Sequence, residues 1–273
     1  MVEKTTHTNL SAYDNHENFI LEDDTKSYKL EKLKSAEKNI AFVKKHFKKA
    51  ISVLEIGSGN SKFLYSLYLS SLLKKGYGVE ISENRFNFAN KWKEEIEART
   101  VMNFNENAIT FNISKIPQID LIYCVDLAFQ FFDPVENGCD VHLLRKYHDH
   151  LTDGGKIILE LDCHHRLISN MKNDQLKTWQ ELNKPDPWKY LLWDCYYNAA
   201  KKHLRINKTF IKRDLAEISK SDVILKNYER DDVINMLKEC GFKDVKVYEN
   251  WQLSDDTLVD EFIVMGTKQE GLK

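Results

Sequence analysis

No apolar run in the chain approaches the roughly 18 to 20 residues that a membrane-spanning helix requires, so no helical membrane span is expected. The opening stretch MVEKTTHTNLSAYDNHENF is polar and has no apolar signal core, so no secretory leader is expected. Cysteine is sparse and scattered. Cys124, Cys139, Cys163, Cys195 and Cys240 are odd in number and make no CxxC pair, which argues against a zinc site or a disulfide framework and for reduced thiols in a cytoplasmic protein. Neither sign of charge dominates: the formal net charge is -2, so nothing global draws the chain to a polyanion or a lipid surface. No GxxxxGK[ST] loop is present, which excludes a P-loop. There is no internal repeat and no low-complexity stretch.

What remains is a chain of 273 residues, long enough for one large domain, in which apolar strands and helices alternate. Residues 1–26 are polar with isolated aromatics and read as an N-terminal arm or lid; 27–273 read as the main domain. The spacing predicts a helix over 27–49, then a strand ISVLEI (51–56), a helix over 61–76 closed by lysines and Gly76, a strand YGVEI (77–81) and a helix over 84–99. AITFNI (108–113) reads as a third strand, IDLIYCV (119–125) as a fourth, 140–155 as a helix stopping at a double glycine, and KIILELD (156–162) as a fifth strand. Continuous apolar strands between helices imply a parallel sheet covered on both faces. The pattern then changes. Over 163–226, aromatic and β-branched residues in PWKYLLWDCYYN and KKHLRINKTFIK predict an antiparallel hairpin, DVILKNYE (222–229) adds a strand, and the segment reads as an inserted substrate-side subdomain. A helix over 230–242 and two strands, KDVKVYE and DEFIVMGTK, end the pattern.

The segment VLEIGSGNSKFL (53–64) carries the chemistry. Gly57 and Gly59 lie between a strand and a helix, where glycine lets the backbone turn sharply and a ligand come close, and the helix start offers free N–H groups. A dinucleotide fingerprint wants a third small residue where Lys62 stands. Glu55, two residues before Gly57, would repel a pyrophosphate and suit an ammonium. Glu80 ends the next strand, some 20 residues on, where an acid can accept hydrogen bonds from both ribose hydroxyls. A ribose beside an ammonium describes S-adenosyl-L-methionine.

VLEIGSGNS, the strand-end Glu80, AITFNI and IDLIYCVDLAFQFF together resemble the class I S-adenosylmethionine-dependent methyltransferases over roughly 51–161. The resemblance implies an α/β, Rossmann-like fold: a seven-stranded sheet with an antiparallel last strand, here with an antiparallel β insert after strand 5. It implies that Glu55, Gly57, Ser58, Gly59 and Asn60 line the methionine and ribose side, and that Glu80 holds the ribose. Ile81 and Ile113 would flank the adenine. Asn112 would stand where an aspartate usually meets the adenine amine, and Cys124 and Val125 would lie beside the methionine. Ser61 replaces the family's third glycine and suits a helix start. The product would be S-adenosyl-L-homocysteine.

The acceptor is less legible. CVDL stands where methyltransferases acting on nucleic-acid bases or glutamine often carry Asn/Asp-Pro-Pro-aromatic, which favours a small-molecule acceptor methylated on nitrogen or oxygen. Tyr13 would be a lid residue. His164 or His165, after the fifth strand, could act as a general base near the acceptor; solvated or structural histidines are the alternative. The aromatics of the hairpin could fill its packed face or line an acceptor pocket. The basic stretches 44–49 and 201–208 read as a charged helix end and a hairpin edge rather than a nucleic-acid surface. A homodimer is allowed. An RNA or protein methyltransferase and a non-catalytic S-adenosylmethionine-binding scaffold stay open as alternatives, and no metal is expected.

Overall fold

The computed structural model describes residues 25–182, 188–215, 217–249, 251 and 260–269. The expected arm and Tyr13 lie outside the described residues. The chain runs α1 (Thr25–His46), β1 (Ile51–Ile56), α2 (Lys62–Leu69), β2 (Leu73–Glu80), α3 (Glu83–Glu95), β3 (Val101–Asn105) and β4 (Ile119–Cys124). It continues with α4 (Phe132–Val135), α5 (Cys139–His150), β5 (Leu151–Asp162), α6 (His165–Ser169) and the strands β6 (Gln175–Glu181), β7 (Trp188–Asn198), β8 (His203–Lys212) and β9 (Ile218–Lys226). It closes with α7 (Arg230–Glu239), β10 (Lys243–Tyr248) and β11 (Glu261–Thr267). Short 3₁₀ turns occupy Ile113–Lys115 and Ala128–Phe131.

Seven strands form one sheet in the order β10-β11-β5-β4-β1-β2-β3. β1 pairs in parallel with β2 and β4, and β4 with β5, while β11 runs antiparallel to both β5 and β10. The mixed seven-stranded sheet is therefore the expected one. β1 lies at its centre, and all six of its residues are buried, as a strand covered on both faces must be. Side-chain alternation splits the core into two layers. Val53, Tyr123 and Ile158 face α1, α2 and Trp92 of α3. Leu54, Cys124 and Leu159 face α5, α7 and the segment around Phe111.

Three of the differences from the expected boundaries have a clear local cause. The helix after the glycine bend ends at Leu69, not Gly76. Ser66 and Ser70 turn their hydroxyls back onto the carbonyls of Lys62 and Ser66, Ser71 adopts a left-handed φ of 56°, and Leu73 is then captured by pairing with Ile51. The double glycine does not end α5. It sits inside β5, where Gly154 takes a φ of 74° and the β4–β5 register shifts. AITFNI is not a strand. β3 is Val101–Asn105, registered against Gly76–Glu80, and 108–113 instead makes a turn closed by the Asn107 carboxamide on the Ile109 N–H. Ala108, Phe111 and Ile113 are apolar because they plug the core beneath the sheet, which alternation alone cannot distinguish from a strand.

The insert is a separate four-stranded antiparallel sheet, β6-β7-β8-β9. The expected hairpin is β7–β8, and the third strand starts at Ile218 rather than Asp222. β6 was not expected: it is an edge strand of mostly polar, exposed residues and carries little hydrophobic signal. Buried polar side chains join this sheet to the core. The Gln130 carboxamide donates to the Asp162 and Lys226 carbonyls and accepts from the Asp162 N–H. Asp133 receives Lys226 Nζ at 2.9 Å, His203 Nε2 at 3.1 Å and the Gly138 N–H at 3.0 Å.

Burial pushes the Asp133 carboxyl up, but Lys226, the Gly138 amide and His203 together outweigh it and hold the group below its ordinary value. A lowered folded-state value stabilises the protein above the unfolded-state range and is lost as pH falls through the folded value. Asp133→Asn is therefore expected to lower the urea midpoint at pH 7, with the gap to wild type closing below about pH 4. A gap that stays constant down to acid pH would show that the carboxylate charge contributes nothing at this joint.

Candidate functional site

The bend after β1 is built by Gly57 and Gly59, both left-handed at φ 67° and 55°. Its amides are largely spoken for. Gly57 and Ser58 both donate to the Val79 carbonyl, Gly59 to Glu80 Oε2 at 2.7 Å, Ser61 to the Ser58 carbonyl and Lys62 to Asn60 Oδ1. These five amides are therefore engaged within the protein rather than free to cradle a ligand. The bend offers carboxylates instead.

Ser61 does not cap the helix. It sits at φ 59° with its hydroxyl donating to Asn103 Oδ1 across the β2–β3 edge. The close packing that a third loop glycine would give comes from Gly78 in β2, where a Cβ would stand 2.8 Å from Ser58 Oγ.

Glu80, 7 % exposed, receives the Gly59 N–H on one oxygen and the Ser82 N–H, at 2.8 Å, on the other. It thus locks the bend to the tip of β2. Ile81 follows as an exposed apolar side chain, and the Asn105 carboxamide holds the carbonyls of Glu80 and Ile81. Ile113 is buried. Asn112 lies beyond the Asn107 turn rather than directly after β3, and its Oδ1 receives the Ser114 N–H at 3.1 Å.

Glu55 is 4 % exposed, and its Oε2 has no hydrogen-bond partner. Burial pushes its carboxyl well up; Asp126 and Glu80 add to this, and Lys62 and the Leu64 amide oppose it. Glu55 pairs with Tyr123 across β1–β4, so the two share a face of the sheet.

On that face lies a cavity of about 180 Å³ between α1, α2 and the tips of β4 and β5, lined by Asn39, Phe63, Tyr123, Val125, Asp126 and Glu160 among others. Phe63 and Tyr123 stack with ring centroids 3.6 Å apart, and the Asn39 carboxamide donates to the Tyr123 hydroxyl. Asp126 and Leu127 follow β4 in consecutive left-handed conformations, at φ 52° and 63°, a strain that clusters at functional sites. Val125 lines the cavity; Cys124 points to the opposite layer.

The two histidines stand elsewhere. His164 is buried, with Nδ1 3.3 Å from Asn227 Oδ1, and His165 Nε2 meets Glu229 Oε2 at 2.9 Å near the start of α7. Neither lines this cavity. Sequence reasoning missed Asn39, Asp126 and Glu160. The available signal was an acid, Glu160, within the apolar stretch 157–161 of a central strand.

The fold matches known structures. CcbJ methyltransferase from Streptomyces caelestis is similar at a TM-score of 0.72 and 13 % identity, over 85 % of this chain and 88 % of that one. The fold is that of the S-adenosylmethionine-dependent methyltransferases. CalS10, an amino pentose methyltransferase from Micromonospora echinaspora with S-adenosylmethionine bound, is similar at 0.64 and 14 %, over 93 % and 100 % of the two chains. The sugar N-methyltransferase KedS8 from a Streptoalloteichus species is similar at 0.62 and 12 %, over 86 % and 87 %. No family model and no curated protein matches the sequence. The likeness to these structures is thus one of fold, at 12 to 14 % sequence identity.

Proposed function

We propose that this protein is an enzyme that transfers the methyl group of S-adenosyl-L-methionine to a nitrogen or oxygen atom of a small-molecule acceptor. The observation that carries the reading is Glu55: a buried carboxylate with an unsatisfied oxygen beside a glycine bend whose Gly57, Ser58 and Gly59 amides are engaged within the protein. Such a site repels an anion and calls for a cation, and the donor's ammonium supplies one. The residues present fit the donor. Glu55 would take its ammonium, Glu80 the ribose hydroxyls, and Ile81 the adenine face. Gly57, Ser58, Gly59 and Asn60 would shape the bend around it, with Ile113 and Asn112 on the adenine side. The donor, when bound, supplies a methyl group already activated by the sulfonium charge. The protein's part is to align the acceptor and exclude water, and the walled cavity at the tips of β4 and β5 serves both. The small-molecule reading draws on that enclosure and on neighbours named as sugar and amino pentose methyltransferases.

The test uses Glu55→Gln. A raised folded-state value means that the ionised carboxylate penalises folding, and the penalty grows as pH rises above the unfolded-state range. Glu55→Gln is thus expected to raise the Tm of the ligand-free protein at pH 8, with the difference fading toward about pH 4. The same variant is expected to bind S-adenosylhomocysteine about tenfold or more weakly by calorimetry, since a charge-assisted contact is lost. Tight binding by the variant, or no binding by the wild type, would sink the placement. Label transfer from the methyl-labelled donor to a metabolite panel then tests turnover.

A further inference from the structure

We infer that the acceptor is an amine, held as its ammonium ion in the cavity beside β4 and β5 with the Glu160 carboxylate as its counter-ion. The inference rests on the methyltransferase reading and adds the substrate class to it.

Glu160 lines the cavity at 7 % exposure. Its Oε2 receives the Asp126 N–H at 2.8 Å and its Oε1 the Trp251 indole N–H at 2.6 Å. Both partners are neutral donors, and among the described residues no ion pair reaches this carboxylate. Two lysines, Lys38 and Lys62, stand on the cavity wall, and neither makes an ion pair with Glu160. Lys62 pairs with Asp126 at 3.1 Å, and Lys38 is an exposed residue of α1. What remains uncompensated is acidic: Glu160 itself and, on the same face of the sheet, Glu55 with its unsatisfied Oε2. A buried carboxylate without a counter-ion is costly, and a cationic ligand removes that cost.

Two acids on one face of the sheet, Glu55 on β1 and Glu160 on β5 with β4 between them, suit two positive groups, the donor's ammonium at Glu55 and the acceptor's at Glu160. The stacked Phe63 and Tyr123 rings and Val125 offer the apolar wall that the acceptor's carbon frame needs. The volume takes a small ring or short chain, not a folded polypeptide. An ammonium has no lone pair, so one proton must leave before the nitrogen can accept a methyl group. That proton passes to the Glu160 carboxylate, leaving a neutral carboxylic acid and a neutral amine. Burial is the leading cause that pushes the Glu160 carboxyl up, which favours its holding the proton.

Trp251 makes the test direct, because its indole N–H rests on Glu160. The indole resonance, assigned by its loss in Trp251→Phe, is followed in protein saturated with S-adenosylhomocysteine. Cyclohexylammonium and its neutral counterpart cyclohexanol are then titrated as probes. The amine is expected to shift the resonance with saturation, and the alcohol to bind about tenfold more weakly or not at all. Glu160→Gln should remove the preference for the amine while retaining S-adenosylhomocysteine binding. Equal responses to the two probes, no response to either, or an undiminished amine preference in Glu160→Gln would overturn the inference. The wild-type comparison decides the matter even if the variant does not fold. Failure of S-adenosylhomocysteine to bind the wild type would instead count against the methyltransferase reading itself.

Discussion

Gly57→Val is expected to abolish donor binding and to destabilise the ligand-free protein. Gly57 sits at φ 67°, and a Cβ built there stands 2.8 Å from the Ala128 Cβ. Real side chains do not approach so closely, and Ala128 belongs to a 3₁₀ turn tied to the core through Gln130, so it cannot easily give way. A branched residue in the left-handed region adds about 1 to 2 kcal/mol of strain. With overpacking of about 1 to 3 kcal/mol, the total is about 2 to 5 kcal/mol of stability. The bend must open to relieve the clash, and opening it moves Glu55 away from Gly59 and Glu80. The measurements are a urea titration and calorimetry with S-adenosylhomocysteine. A variant of wild-type stability and affinity would mean that neither the bend nor its approach to Ala128 is as described.

Glu80→Ala is the second large effect. The side chain holds two backbone amides, those of Gly59 and Ser82, in a buried setting. Its removal leaves both donors unsatisfied at about 1 to 3 kcal/mol each. On the proposed function it also removes the ribose acceptor, for a further loss of about 1 to 3 kcal/mol in donor binding. The two losses separate experimentally. Ser82 N–H and Gly59 N–H report on the bend through hydrogen exchange without ligand, whereas calorimetry reports on the donor. Faster exchange at both amides together with unchanged S-adenosylhomocysteine affinity would leave Glu80 a structural brace and remove it from the donor site.

Glu80 also shows why the sequence could be read so far and no further. An acid at the tip of a strand, after a glycine bend at the right spacing, is a local pattern, and it was legible. That the same carboxylate clamps the Gly59 amide was not, because the contact depends on how β2 lies against β1. The outcome reverses the usual use of a glycine loop: the amides turn inward to the protein, and the site presents acids. AITFNI fails for a related reason. Ala108, Phe111 and Ile113 are buried like strand residues, but the strand-forming contacts with β2 go to Val101–Asn105, and two segments cannot share one edge. The double glycine after α5 reads as a helix stop because glycine ends helices; here β4 draws Leu151 into pairing first.

What the sequence by itself determined is the alternation of strands and helices on either side of the glycine bend, the layered α/β plan, the antiparallel insert and the two strand-tip acids. These follow from periodicity and from residue chemistry at fixed spacing along one segment, and neither requires knowledge of distant partners. Only the tertiary structure decided which acids lack a counter-charge. Glu160 is one polar residue within the apolar stretch 157–161 until Asp126 from just after β4, Trp251 from near the C-terminal strands and the face of α1 close around it. Burial and the absence of a paired cation are properties of that assembly, since desolvation depends on everything packed around a group and not on its neighbours in the chain.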